Sequence, residues 1–242
     1  MITQIKEYIQ FGDFNSKDAG WYLQSREAPT PDKEEIVEQI PYLQGVLDFS
    51  DVLGEVFFDR REITYEFKLP NKDYPDRKAA ERFIKSSMTT KSESKLFDSH
   101  DQRYYWLGKI KHIKVADDPI KKNLVATIVF KCYPFAFHED EYFDDVWDTF
   151  DFENDNSTWT KWALGYEKKK TPVYFVNSGD TSISPVIICS EDIALKDANG
   201  TIYNLKKGEN RDFTLTLDIG INYFEAQGNG TLAMHYSNEV MA

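Results

Sequence analysis

Residues 61–69 read REITYEFKL, with Ile63, Tyr65, Phe67 and Leu69 on one side of the chain and Thr64, Glu66 and Lys68 on the other. A period of two is what a strand needs when one of its faces is buried and the other is wet. Residues 124–132 repeat the pattern, with Leu124, Ala126, Ile128, Phe130 and Cys132 on one face. Runs of this kind restrict the chain to sheet architectures. Aromatic residues make up 15% of the sequence and favour the same outcome, because rings fit pleated, half-buried surfaces. With 242 residues, 41% of them hydrophobic, the chain has material for one large domain or two small ones, each with its own core.

The predicted order of elements is a β-structure interrupted by one helix, then a run of short strands. Ile2, Ile5, Ile9, Phe11 and Phe14 suggest an initial strand. Residues 27–44 are polar, hold Pro29, Pro31 and Pro41, and read as an extended loop with a strand edge. The helix spans about 75–88, with Asp73 as its cap and Pro75 in its first turn. Its predicted buried stripe is Ala80, Phe83, Ile84, Ser87 and Met88, with Arg77, Lys78, Glu81 and Lys85 facing solvent. Strands follow at 94–97, 104–112 and 124–132.

Pro134 stops the last of these, and an acidic aromatic tract begins at His138. Nine acidic residues and no Lys or Arg fall in 138–155. The boundary is therefore expected near 137, giving domains 1–137 and 138–242. Beyond it come alternating runs at 171–177, 184–190, 193–196, 201–205, 211–217, 221–225 and 231–236. Turn formers separate them, and Asn199–Gly200 is the strongest hairpin signal. Many short strands without a helix predict a β-sandwich.

Charge divides at the same place. Residues 1–137 carry 21 Lys and Arg against 22 Asp and Glu, while 138–242 carry 8 against 19, so nearly all of the net −12 lies in the second part. Such a chain repels phosphates and has no basic stripe with interleaved aromatics, which argues against nucleic-acid binding. No run approaches the ~20 apolar residues of a membrane span. The opening MITQIKEYIQF alternates rather than forming an apolar block, so synthesis and folding in a cytoplasm are expected.

Catalytic and metal signatures are weak. His100, His112, His138 and His235 form no spaced metal pair, and no phosphate loop, nucleophile elbow or Cys–His arrangement stands out. Asp151, Glu153 and Asp155 alternate as in a calcium loop, but Asn156 occupies the place that wants Gly and Trp162 the place that wants Glu. Cys132 and Cys189 read as small buried hydrophobes rather than a disulfide. The expectation is no enzyme, no cofactor and no metal. Trp159 and Trp162, with Tyr166, are the candidate contact residues, either stacking on a saccharide or docking a neighbouring protein.

Several segments, taken in order, carry a resemblance to a known family. GVLDFSD at 45–51 precedes the Ile63–Leu69 strand. FDSHDQRYYWLGKI at 97–110 has an aspartate, a tyrosine strand and a glycine. ATIVFKCYPFAF at 126–137 closes a first domain with strand, cysteine, proline and aromatics. VNSGDTSISPVIIC at 176–189 has an asparagine-glycine turn before a proline-started strand, and LDIGINYFEAQGNGTLAMHYSNEVM at 217–241 supplies the last strands. In this order they resemble the siphophage distal tail protein family (Dit).

The resemblance implies a mainly β protein: an N-terminal split-barrel-like β-domain with one helix, and a C-terminal galectin-like β-sandwich. It implies a structural virion protein at the tail tip. Copies of it would form a ring, commonly a hexamer, that joins the tail tube to the host-recognition apparatus of a long-tailed phage or prophage. The implied partners are the chain itself, a tail tube protein, a tail-associated tip protein and a receptor-binding protein. The near-neutral first domain is expected to close the ring and the acidic second domain to project outward. The alternative is a carbohydrate-binding module that touches the host cell wall.

Overall fold

A computed structural model describes residues 6–42, 44–50, 56–89, 91–139, 161–165 and 170–242. The chain divides into two compact units, Met1–Ala136 with Met241–Ala242, and Phe137–Val240.

The first unit holds β1 (Ile9–Phe11), β2 (Phe14–Asn15), β3 (Tyr22–Glu27), β4 (Val37–Glu38), β5 (Leu47–Asp48), β6 (Arg61–Leu69), helix α1 (Tyr74–Thr89), β7 (Ser94–Asp98), β8 (Asp101–Asp118) and β9 (Asn123–Cys132); β10 (Ala136–His138) lies at the division. Seven strands form an antiparallel path in the order β2-β1-β7-β8-β9-β6-β3, and β4 and β5 pair only with each other. The two runs that alternate most cleanly are neighbours: Ile63 lies opposite Phe130, Tyr65 opposite Ile128 and Phe67 opposite Ala126. Large rings meet smaller partners across the ladder, and all six residues are fully buried. Gly108 lies opposite Cys132, and a Cβ there would fall 2.6 Å from the Cys132 Sγ. The glycine therefore lets β8 and β9 close over the thiol.

Helix α1 has the predicted extent, and Ile84 and Met88 of the predicted stripe are buried, but the face is turned toward Arg77 and away from Phe83. Arg77, Ile84 and Met88 are buried, whereas Phe83 is 53% exposed and only tilts against Phe14 at a ring separation of 6.3 Å. The buried line passes through 77, 84 and 88 because Arg77 finds partners: its Nε donates to Asp117 at 2.7 Å and its Nη1 to the Lys72 carbonyl at 2.8 Å. A paired guanidinium can be covered at small cost, so the buried line is turned toward Arg77 and away from Phe83. The Asp73 carbonyl accepts from the Arg77 N–H, and its carboxylate pairs with Lys122.

The second unit holds β11 (Lys161–Leu164), β12 (Thr171–Asn177), β13 (Val186–Cys189), β14 (Ile193–Asp197), β15 (Ile202–Leu205), β16 (Gly208–Arg211), β17 (Gly220–Gly228), β18 (Gly230–His235) and β19 (Glu239–Val240). Two four-stranded antiparallel sheets, β11-β18-β13-β16 and β12-β17-β14-β15, share one apolar core. Val173, Phe175, Leu195 and Ala226 come from one sheet and Ile187, Cys189, Leu232 and Met234 from the other. That is sandwich packing. Asn199–Gly200 turns the β14–β15 hairpin as a three-residue loop, with Gly200 at φ +92° and the Thr201 N–H donating to Asp197 Oδ1 at 2.8 Å.

The expected strand at 211–217 is not formed. Asp212 accepts hydrogen bonds from the Thr214 N–H and hydroxyl and turns the chain, so Phe213 points out at 84% exposure while Leu215 and Leu217 enter the core.

Candidate functional site

Three places in the described residues hold polar or apolar groups beyond what the core requires. The first is a carboxylate on the seven-strand path of the first unit. Asp98, at the end of β7, is 1% exposed. It accepts from Arg26 Nε at 2.6 Å, Tyr65 Oη at 2.7 Å, and the His100 N–H and Nδ1 at 3.0 and 2.8 Å. Burial alone would push its carboxyl upward, but these donors outweigh burial and hold it below the usual carboxylate range. Burial and the Asp98 charge together push the Tyr65 phenol well up. Arg26 and Arg61 both stack over the Trp106 ring, at 5.8 and 5.7 Å from its centroid.

Asp98, Arg26, Tyr65 and His100 are thus held by one another, which suits a rigid frame better than a reacting centre. Both thiols point the same way, since burial pushes Cys132 up to about 12 and Cys189 up to about 11. At neutral pH they are protonated and poor nucleophiles.

The second place is the segment joining β3 to β6. Its β4–β5 ribbon has two residues per strand and is extended by a Lys33–Phe58 bridge and by the Phe49 N–H donating to the Ile36 carbonyl at 2.8 Å. Phe58 anchors its base edge-to-face on Phe135 at 5.6 Å. Above that base the apolar side chains face out: Ile36, Val37, Val46, Leu47, Phe49 and Phe57 are 38–55% exposed, and Tyr42, at φ +70°, is fully so. An isolated two-stranded ribbon is marginal in water, and this one leaves uncovered the residues that would stabilise it.

The third place is on the sandwich. Tyr174 and Tyr223 pair directly across β12 and β17 on the outer face, 40% and 63% exposed, with rings 6.3 Å apart. Trp162, on β11, is half-buried against the core. Its indole N–H donates to the Tyr174 carbonyl at 3.3 Å, and its ring meets Tyr174 edge-on at 5.2 Å. Trp159 and Tyr166 lie outside the described residues, as do Asp151, Glu153 and Asp155.

Sequence reasoning singled out Trp162 but missed Tyr174 and Tyr223, which come together only through the pairing of β12 with β17. It also missed the ribbon, whose signal was the mixture of acidic and apolar residues between prolines. Among the described residues no group of three or more His, Cys, Asp or Glu could hold a metal ion, and no helix is long and apolar enough to cross a membrane.

No family model and no curated protein matches the chain. Among solved structures it is similar to SPP1 Dit, described as a paradigm of the hub adsorption apparatus in phages that infect Gram-positive bacteria. The TM-score is 0.63 at 11% sequence identity, over 96% of this chain and 98% of that one. The chain therefore has a Dit-like, mainly β fold with one helix among its described residues.

Proposed function

We propose that this chain is a structural protein of a phage tail tip. Copies form a ring, a hexamer, that joins the tail tube to the host-recognition apparatus of a long-tailed phage or prophage. The observation that carries this reading is the fold likeness to SPP1 Dit across nearly the whole of both chains. The role needs no reaction, in keeping with a buried carboxylate whose oxygens are fully engaged and thiols held protonated. The first unit, ending near 137, closes the ring. The acidic second unit, Phe137–Val240, a galectin-like sandwich, faces outward, where salt screens its charge. The tail tube protein, a tail-associated tip protein and a receptor-binding protein are the partners this role requires.

Light scattering on the purified chain over a concentration series tests the reading. A discrete mass of six protomers is expected. A chain that stays monomeric at every concentration overturns it.

A second reading, a saccharide-binding module, draws support from the exposed pair Tyr174 and Tyr223 beside Trp162, with Trp159 and Tyr166 as further contacts. Here cell-wall saccharides should change the tryptophan fluorescence saturably, and Tyr223→Ala should abolish the change. A flat titration removes this reading.

A further inference from the structure

We infer that the β3–β6 segment of one copy docks on the outer face of β8 and β9 in a second copy, an inference that rests on the ring reading above. The near-neutral balance of residues 1–137 conceals two opposite charges. Residues 28–60 carry eight Asp and Glu against two Lys and Arg, and the rest of 1–137 carries 14 against 19. The acidic part is the same ribbon that exposes its apolar side chains. They lie on both faces of the ribbon, since Val37 stands opposite Asp48 and Glu38 opposite Leu47, so either face presents apolar groups beside carboxylates.

The basic surplus has a corresponding address. On the outer face of β8 and β9 stand Lys109, Lys111, His112, Lys114 and Lys131, all exposed. Lys109 lies directly opposite Lys131 in the ladder, a like-charge pair that disfavours the sheet it sits in. Glu62 lies across from Lys131 but pairs with Lys111. Among the described residues Lys109, Lys114 and Lys131 make no salt bridge. A local cost of this kind is relieved when an acidic surface covers it.

The occupant is a second copy because one chain carries both halves of a complementary pair. Two different patches that fit each other make a head-to-tail contact, the type that closes into rings. The ribbon supplies Glu34, Glu35 and Glu38 around Ile36 and Val37 for the lysines, and its apolar residues exclude water around them.

The test is a charge swap read by light scattering on the full chain, with circular dichroism to verify folding. Lys109→Glu with Lys131→Glu should weaken association roughly tenfold or more, as should Glu35→Lys with Glu38→Lys. Mixing the two doubly substituted chains, or combining all four changes in one chain, should restore it. If the unaltered chain never associates, the ring reading fails and this one with it. If the chain associates and both reversals associate equally well, the ring reading stands and this docking pair is wrong. Loss without restoration in the swap also overturns the pairing. So does binding of a duplex DNA fragment that the Lys109/Lys131 reversal abolishes while self-association is unchanged.

Discussion

Strand β6 and the ribbon that precedes it contain similar residues and meet opposite fates. REITYEFKL buries Ile63, Tyr65, Phe67 and Leu69 at 0–3% exposure. The ribbon leaves Ile36, Val37, Val46, Leu47 and Phe49 between 38% and 55% exposed. The difference lies in the neighbours rather than the side chains. β6 has β9 on one side and β3 on the other, whereas β4 and β5 have only each other. Apolar alternation thus states what a strand is able to bury, and the sheet around it decides whether burial occurs. A strand with its neighbours present belongs to the fold. One without them leaves its apolar side chains in water.

Substitutions at the two places should therefore separate stability from association. The largest effect is expected at Phe67, fully buried in β6: Phe67→Ala should cost about 3–5 kcal/mol in urea unfolding. Little change in the midpoint would mean that the sheet core is not where the stability resides.

Next is Asp98→Asn, which should cost about 2–3 kcal/mol at neutral pH by weakening charge-assisted bonds from Arg26, Tyr65 and His100. Its pH dependence has a definite sign. A carboxyl held low in the folded state contributes fully above the ordinary carboxylate range, and that contribution is lost as pH falls through the range toward the lowered folded value. The gap between native and Asp98→Asn stability should accordingly narrow on acidification. A gap independent of pH would remove Asp98 from the account.

Phe83→Ala tests an exposed ring on a well-anchored element and should cost only about 1 kcal/mol, mostly its contact with Phe14. The smallest effect on the isolated chain is expected for Phe49→Ala in the ribbon, within about 0.5 kcal/mol, together with a clear loss of self-association. If Phe49→Ala destabilises the monomer as Phe67→Ala does, the contrast between the two regions collapses.

What the sequence revealed follows from the range of the interactions that decide each feature. Strands β6 to β9 and most strands of the sandwich were readable because alternation is local, and Asn199–Gly200 marked its hairpin for the same reason, whereas β3, β11 and β16 carry no such alternation and were missed. The helix was readable in extent, since Asp73 and Pro75 lie beside it, and in the burial of Ile84 and Met88, but not in the places of Arg77 and Phe83. Arg77 turns inward to meet Asp117, forty residues away, and nothing near Phe83 signals that it is displaced outward. Asp212 defeated the apparent strand at 211–217 through a turn that competes with alternation on equal terms.

The candidate interface was least readable. Trp162 was visible as a bulky aromatic, yet Tyr174 and Tyr223 join it only once β12 and β17 pair. The ribbon's acidity was averaged away when charge was counted over the whole of 1–137.

The central claim, that a Dit-like fold here serves ring assembly, is tested most directly by electron microscopy of the full-length chain at high concentration. The account predicts closed six-membered rings around a central channel, formed by the native chain and lost in the Lys109→Glu, Lys131→Glu variant. Single particles of one protomer, or open filaments without closure, would contradict it.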